Sequence, residues 1–397
     1  MMSVWSSLVG QGAAVAKLSE AAASARAIVA SRGSGRASDE ARSMSHAWLI
    51  TGPPGSGRSV AARAFAAALQ CTGATPGCGQ CPGCRTTMGR TNADVLFAAT
   101  ETSIINVETA RSLVLQAQSS PSQGLWRVIV VEDADRLGES GANALLKAIE
   151  EPPEHTVWLL CAPSPEDMIA TIRSRCRHLG LRIPTATAVA DLLVREGIAT
   201  PEVALEAARD AQSHIGLARA LARDPQMRER RRSIITAPAS VRSVGEAVMA
   251  ADRLLETAKA QADAQVSDRN AREKADLLRQ LGMEESENAT KASRTMLRQL
   301  EEDQKRRSKR ALTDAIDRAL IDLLAIYRDV LLVQVGGDGE LINTDLSELV
   351  HQIAHDSTPH QTLARVDHIE TARKRLVANG NPLLVLEDMA ISLRPQA

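Results

Sequence analysis

Gly52-Pro53-Pro54-Gly55-Ser56-Gly57-Arg58-Ser59, GPPGSGRS, decides the fold. It fits the phosphate-loop pattern G-x-x-x-x-G-K-[ST] at every fixed position but one: residue 58 is arginine, where the pattern has lysine. The flanks give the context such a loop needs. HAWLITG before it is a short apolar strand, and RSVAARAFAAALQ after it has apolar residues near helical spacing. Strand, glycine turn and helix start together make an anion cradle, because free amides at a helix start point outward.

Outward from the loop the same alternation continues. RVIVVEDADRL (127–137) reads as a second buried strand ending in acidic residues, and TVWLLCAP (156–163) as a third. Between them GANALLKAIEEPP is a helix stopped by Pro152 and Pro153. Strands alternating with helices predict an α/β module whose parallel sheet carries helices on both faces. Residues 3–30 read as an approach segment and an alanine-rich helix, and 31–45 as an exposed loop. Past residue 180 the strand patterns stop. Residues 185–240 read as a small helical unit, and 251–310 alternate in charge like exposed helices or an insertion. Leu312, Ile316, Leu320, Leu323 and Tyr327 share one helical face, so a packed helical domain is expected there.

Composition narrows the function classes. The 397 residues carry a net charge of -1 and 2% aromatic residues, which argues against a stacking platform for single strands. Any nucleic-acid contact then requires a local patch or a partner. No apolar run reaches the ~20 residues of a membrane span, and the N-terminus lacks a secretory pattern. A cytoplasmic protein is expected, with its six cysteines in metal or packing roles.

Four of those cysteines, Cys71, Cys78, Cys81 and Cys84, are spaced C-x6-C-x2-C-x2-C. Paired C-x2-C turns bring thiolates to one ion, and four thiolates fill a zinc shell with no place for water, so the expectation is a structural Zn2+. Packing thiols and an iron–sulfur cluster are the alternatives. Cys161 and Cys176 read as packing residues, and His46 and His155 as surface or cap residues. The charge runs at Arg228–Arg232 and Lys305–Arg310 read first as solvated faces, then as partner- or DNA-facing ones.

These residues carry a resemblance. VWSSLVGQ (4–11), the glycine loop, the cysteine insert, NALLKAIEEPP, TIRSRC, YRDVLL and NGNPLLVLEDMA together resemble the bacterial AAA+ clamp-loader subunits of DNA polymerase III, in their delta-prime branch. The resemblance implies an AAA+ α/β domain over 1–182 with a zinc module at 71–84. A helical lid over 183–245 and an all-α collar over 246–397, with a charged insertion at 251–310, would follow. It implies a five-subunit assembly with the gamma/tau motor and delta subunits that opens a sliding clamp on primed DNA, at the replisome and away from membranes.

A working ATP–Mg2+ site in this family needs lysine, an Asp-Glu pair, a threonine sensor and a lid arginine together. Here Gly52, Gly55, Gly57 and Ser59 keep the loop, but Arg58 is larger and forked. Glu132 and Asp133 stand in exchanged order, Cys161-Ala162-Pro163-Ser164 replaces the sensor, and Gly216 replaces the lid arginine. Four departures at one site imply lost hydrolysis. The resemblance also implies that Arg175, in Ser174-Arg175-Cys176, is an arginine finger acting in trans on a neighbour's nucleotide, with Arg173 as competitor. The enzyme alternative is an ATP-hydrolysing gamma/tau-like motor.

Overall fold

Ala47–Thr51 (β1), an unbroken run of buried residues, lies inside the sheet and pairs in parallel on both edges. The structure, a computed structural model, describes residues 3–31, 43–98, 105–241, 243–280 and 291–394. Among them the other strands are Val95–Ala98 (β2), Arg127–Val131 (β3), Thr156–Ala162 (β4) and Arg177–Gly180 (β5). All pair in parallel in the order β2-β3-β4-β1-β5. The order places the loop after β1 beside the ends of β4 and β5. The three strands read from apolar runs form the middle of the sheet. The two unread ones, β2 and β5, are its short edges: β2 is an apolar run of only four residues, and β5 is largely polar.

Alternate residues of each strand enter opposite cores, which is why both faces are covered. On one face Trp48, Ile50, Val130 and Leu159 pack with Gly12–Ala30 (α1) and Arg58–Leu69 (α2). Alanines fill the sheet-facing side of α2, so helix and sheet approach closely. Pro82–Met88 (α3) follows α2. On the other face Leu49, Ile129, Trp158 and Leu160 pack with Val107–Ala117 (α4) and Glu139–Glu150 (α5). The fold class expected from the sequence, a parallel α/β module followed by helices, is the one observed.

Ala170–Arg173 (α6), Ala186–Arg195 (α7), Pro201–Asp210 (α8) and Ile215–Arg223 (α9) follow the later strands. The chain divides into two compact units, Met1–Ala222 and Arg223–Ala397, a boundary inside the expected 183–245 segment. The second unit comprises Pro225–Ser240 (α10), Val244–Gln280 (α11), Lys291–Gln334 (α12), Ser347–His355 (α13), Pro359–Val377 (α14) and Pro382–Ser392 (α15). Ile316, Leu320, Leu323 and Tyr327 of α12 are buried in its core as their spacing predicts, with Leu312 at the margin.

Two expectations change. His155 is buried, with φ 67° and its ring edge-on to Trp126, because the turn before β4 folds inward. Arg231, in the expected solvated run, is also buried. Its Nε donates to Asp322 Oδ1 at 3.1 Å and its Nη2 to Asn343 Oδ1 at 2.7 Å, while Asn343 donates to the buried Asp329. The charge run hid one residue of a core network. Most of the expected exposed loop, 32–42, lies outside the described residues.

Candidate functional site

Two sites are built onto α2, one at each end. At its N-terminus Gly52 N–H donates to Pro163 O at 3.1 Å, tying the loop to the end of β4. Ser56 N–H donates to Pro53 O at 3.1 Å and closes the turn. Gly55 has φ 88°, and a Cβ there would lie 2.9 Å from the His214 Cα, so a side chain is excluded twice over. Gly57 caps the helix in the left-handed region. The buried Gln11, last residue of VWSSLVGQ, donates to Ser56 O at 3.2 Å and to Arg182 O at 2.5 Å. It staples the loop to the segment after β5.

The loop's shape is therefore intact, but its charges are arranged unlike the lysine pattern. Arg58 is the first residue of α2, and its buried Nη1 has no hydrogen-bond partner. The Ser56 hydroxyl and Arg63 Nε are likewise buried without one. Burial lowers the Arg63 pKa, and the nearby charges of Arg90 and Arg219 lower it further. Glu132, just past β3, accepts from Arg90 Nη2 at 2.5 Å. Arg90, at φ 59°, also lies 5.0 Å over the Phe97 ring. Asp133 caps a short turn, and the adjacent Asp135 has its pKa raised by burial and by Asp133, against the pull of Arg58. Ser59 sits half-buried in the first turn of α2.

Two further positions are taken up locally. The Ser164 hydroxyl bonds Glu166 and caps its own turn, so it faces its neighbours. Gly216 opens onto the His214 ring, whose Nδ1 accepts from Leu217 N–H at 3.2 Å. One turn on, Arg219 makes a two-point pair with Glu196, at 2.8 and 2.6 Å. The loop glycines, Arg58, Glu132 and Asp133 are brought to one end of the sheet as read. Gln11, Arg90, His214 and Arg219 were missed: Gln11 lies in VWSSLVGQ and His214 and Arg219 flank Gly216, but no local spacing shows which distant segment each residue meets.

At the other end of α2 the four cysteine sulfurs all lie within 4.8 Å of one another. Zn–S bonds of about 2.3 Å put tetrahedral sulfurs roughly 3.8 Å apart, and Cys71 and Cys81 Sγ are separated by 3.8 Å. The Cys81 and Cys84 amides donate to the Cys78 and Cys81 sulfurs at 3.4 Å, as the tight C-x2-C turns require. Burial pushes the Cys81 thiol up, but such amide bonds outweigh it and bring it down to about 6. Cys71 is lowered in the same way, whereas burial raises Cys84. The donor set fits a metal ion.

The module is anchored from outside. Arg26 donates to Cys71 O at 2.8 Å and Ala74 O at 2.9 Å, and Val4 N–H to Gly77 O at 3.0 Å. A Cβ on Gly83 would sit 2.0 Å from Gln70 O, so the C-x2-C turn presses on the end of α2. Cys161 and Cys176 stand apart from the cluster. Burial pushes each to about 12, as packing thiols.

Arg175 lies apart from both sites, just after α6. Its side chain is 39% exposed, pairs with Glu150 at the end of α5, and donates to Thr171 O at 2.8 Å. Arg173 is held by Pro165 O at 3.2 Å. Among the described residues no helix is long and apolar enough to cross a membrane.

Comparison with known proteins bears out the resemblance over the α/β module. Residues 36–185 match the family described as "DNA polymerase III, delta subunit". "DNA polymerase III subunit gamma/tau" of Mycobacterium tuberculosis is 35% identical over 39% of this chain and 28% of its own length. "DNA polymerase III subunit delta'" of Pseudomonas aeruginosa is 34% identical over 41% of this chain and 50% of its own. The chain thus spans half or less of these relatives' length. A solved gamma subunit-related protein of Thermotoga maritima covers 88% of this chain and 94% of its own at 15% identity. Its TM-score of 0.43 is too low to carry argument.

Proposed function

We propose that this resemblance to DNA polymerase III subunits extends to role, and that the chain is a delta-prime-like, stationary subunit of a clamp loader. Its partners are the gamma/tau motor and delta subunits, with the sliding clamp and primed DNA reached through the complex. Its own loop is hydrolytically silent. The observation that carries this is Arg90 on Glu132. The carboxylate that would help hold magnesium is engaged by a guanidinium, so the site does not fit a nucleotide-bound Mg2+. Arg58 in place of lysine supports the same reading. The four cysteines hold a structural Zn2+ that ties the insert to α2 and the N-terminal segment.

In this reading Arg175 is supplied in trans to the motor's nucleotide. It would stabilise charge on the transferring phosphoryl group, an effect of ~10³–10⁵ in well-studied cases. Its exposed guanidinium is held only by groups at the surface, which it can leave.

The test is ATP turnover by a reconstituted loader with clamp and primed DNA. Arg175→Ala is expected to remove most turnover, and Arg58→Ala to change little. Damage by Arg58→Ala, with hydrolysis by the isolated chain, would establish the motor reading. That alternative is kept because gamma/tau relatives match as closely as delta' ones.

A further inference from the structure

The segment 251–310 is absorbed by none of this. Helices α11 and α12 run antiparallel: Ala262 and Val266 pack on Ala311, and farther out Asn270 and Glu273 meet Arg307. The outer part of this hairpin is held by polar contacts, with Gln304 Nε2 donating to Asn270 O at 2.9 Å. Gln304 and Arg307 therefore mark the side of α12 that faces α11.

Over 291–310 there are eight basic and three acidic residues. The acidic ones are mostly consumed internally. Glu302 and Asp303 lie 3.5 and 3.9 Å from Arg306, and Glu273 of α11 takes Arg307 and Arg269. Arg294, Arg298 and Lys305 are exposed and have no acidic partner among the described residues. Their spacing, i, i+4 and i+11, puts them on one stripe, opposite the side marked by Gln304 and Arg307. Lys309 continues it and donates to Asn379 Oδ1 at 3.0 Å. Glu301 and Glu302 flank the stripe; Glu302 pairs with Arg306, and Glu301 pairs with neither Arg298 nor Lys305.

Arg294 and Arg298 repel across i,i+4, and of the two acids one turn from Arg298 and Lys305, Glu302 is taken by Arg306. We infer that this stripe is a contact surface for the phosphate backbone of duplex nucleic acid. From residue 294 to 309 it runs about 23 Å at 1.5 Å per residue. That is roughly seven base pairs at about 3.4 Å each. A protein partner would want an apolar centre to its interface. Between the flanking Glu301 and Glu302 the stripe offers long cationic chains and no apolar centre, which suits a row of phosphates.

The test uses the full chain and a short fluorescent DNA duplex, with affinity measured across a salt series. It needs no other subunit, so its failure leaves the clamp-loader reading untouched. The triple variant Arg294→Gln/Arg298→Gln/Lys305→Gln should weaken binding and lower the slope of log K against log salt by roughly 2 to 3. Glu301→Gln should tighten binding. Unchanged helicity by circular dichroism would show the variants folded, as fully exposed sites allow. An unaltered affinity and slope in the triple variant overturns the proposal. So does preferential binding of polyglutamate over the duplex, which would make the stripe a protein-facing surface.

Discussion

The two ends of α2 are built to different degrees of completeness. At its C-terminal end the cysteine cluster is complete: four sulfurs converge, amides aim at them, and Arg26 and Val4 clamp the loop from outside. At its N-terminal end the glycine loop keeps its turn, while Arg58, Arg63 and Ser56 carry buried donors without acceptors and Arg90 holds Glu132. A backbone shape survives because neighbouring segments pack on it. A nucleotide-hydrolysing site would need every charge in place as well.

The sharpest way to break this contrast is at the cysteines. Cys84→Ser is expected to lose a bound zinc of about one equivalent per chain, measured by metal analysis, and to destabilise the α/β unit by roughly 3 kcal/mol or more. Retention of stability without metal would make the cluster a packing feature.

Asp94 supplies an intermediate reference, an anion satisfied by the segment that precedes β3. It is buried and accepts from the Ser122, Gln123 and Gly124 amides at 2.6–2.8 Å. Asp94→Asn should cost about 2–3 kcal/mol in chemical denaturation. Burial would raise its pKa, but the amides outweigh burial and hold it below the ordinary aspartate value of about 3.9. Its contribution is therefore present above that value and is lost as pH falls through the lowered one. A mutant difference that stays constant through acid would contradict this.

Restoring the loop's consensus is a smaller change. Arg58→Lys is expected to yield no ATP turnover by the isolated chain, because Glu132 remains on Arg90, and to shift stability by about 1 kcal/mol or less. Turnover from this single change would place the loop one residue from activity and collapse the contrast. Smallest of all is Glu150→Gln. The Arg175–Glu150 pair is at the surface, so thermal melts should move by less than ~1 kcal/mol.

Much of the α/β unit was legible because its signals are local. A buried strand is an apolar run, a zinc turn is a spacing, and a helix stop is Pro152-Pro153. The edges β2 and β5 were missed for different reasons: β2 is an apolar run of only four residues, and β5, Arg-His-Leu-Gly, mixes polar residues into its exposed positions. Arg231 misled for the converse reason: a charge run looks solvated whether or not one member turns inward to Asp322.

The sequence by itself determined the parallel α/β class, the cysteine donor set, the loop's altered position 58 and the core face of α12. Each is read from the spacing of residues within a continuous stretch, or from the succession of such stretches along the chain. Only the tertiary structure decided that Arg90 lies on Glu132, that Gln11 staples Ser56, that His214 stands against Gly55, and that Arg294, Arg298 and Lys305 go unpaired. Those are pairings, or failures to pair, across long stretches of chain. The energy of a charge depends on what is brought within a few ångströms of it, and no spacing rule records that.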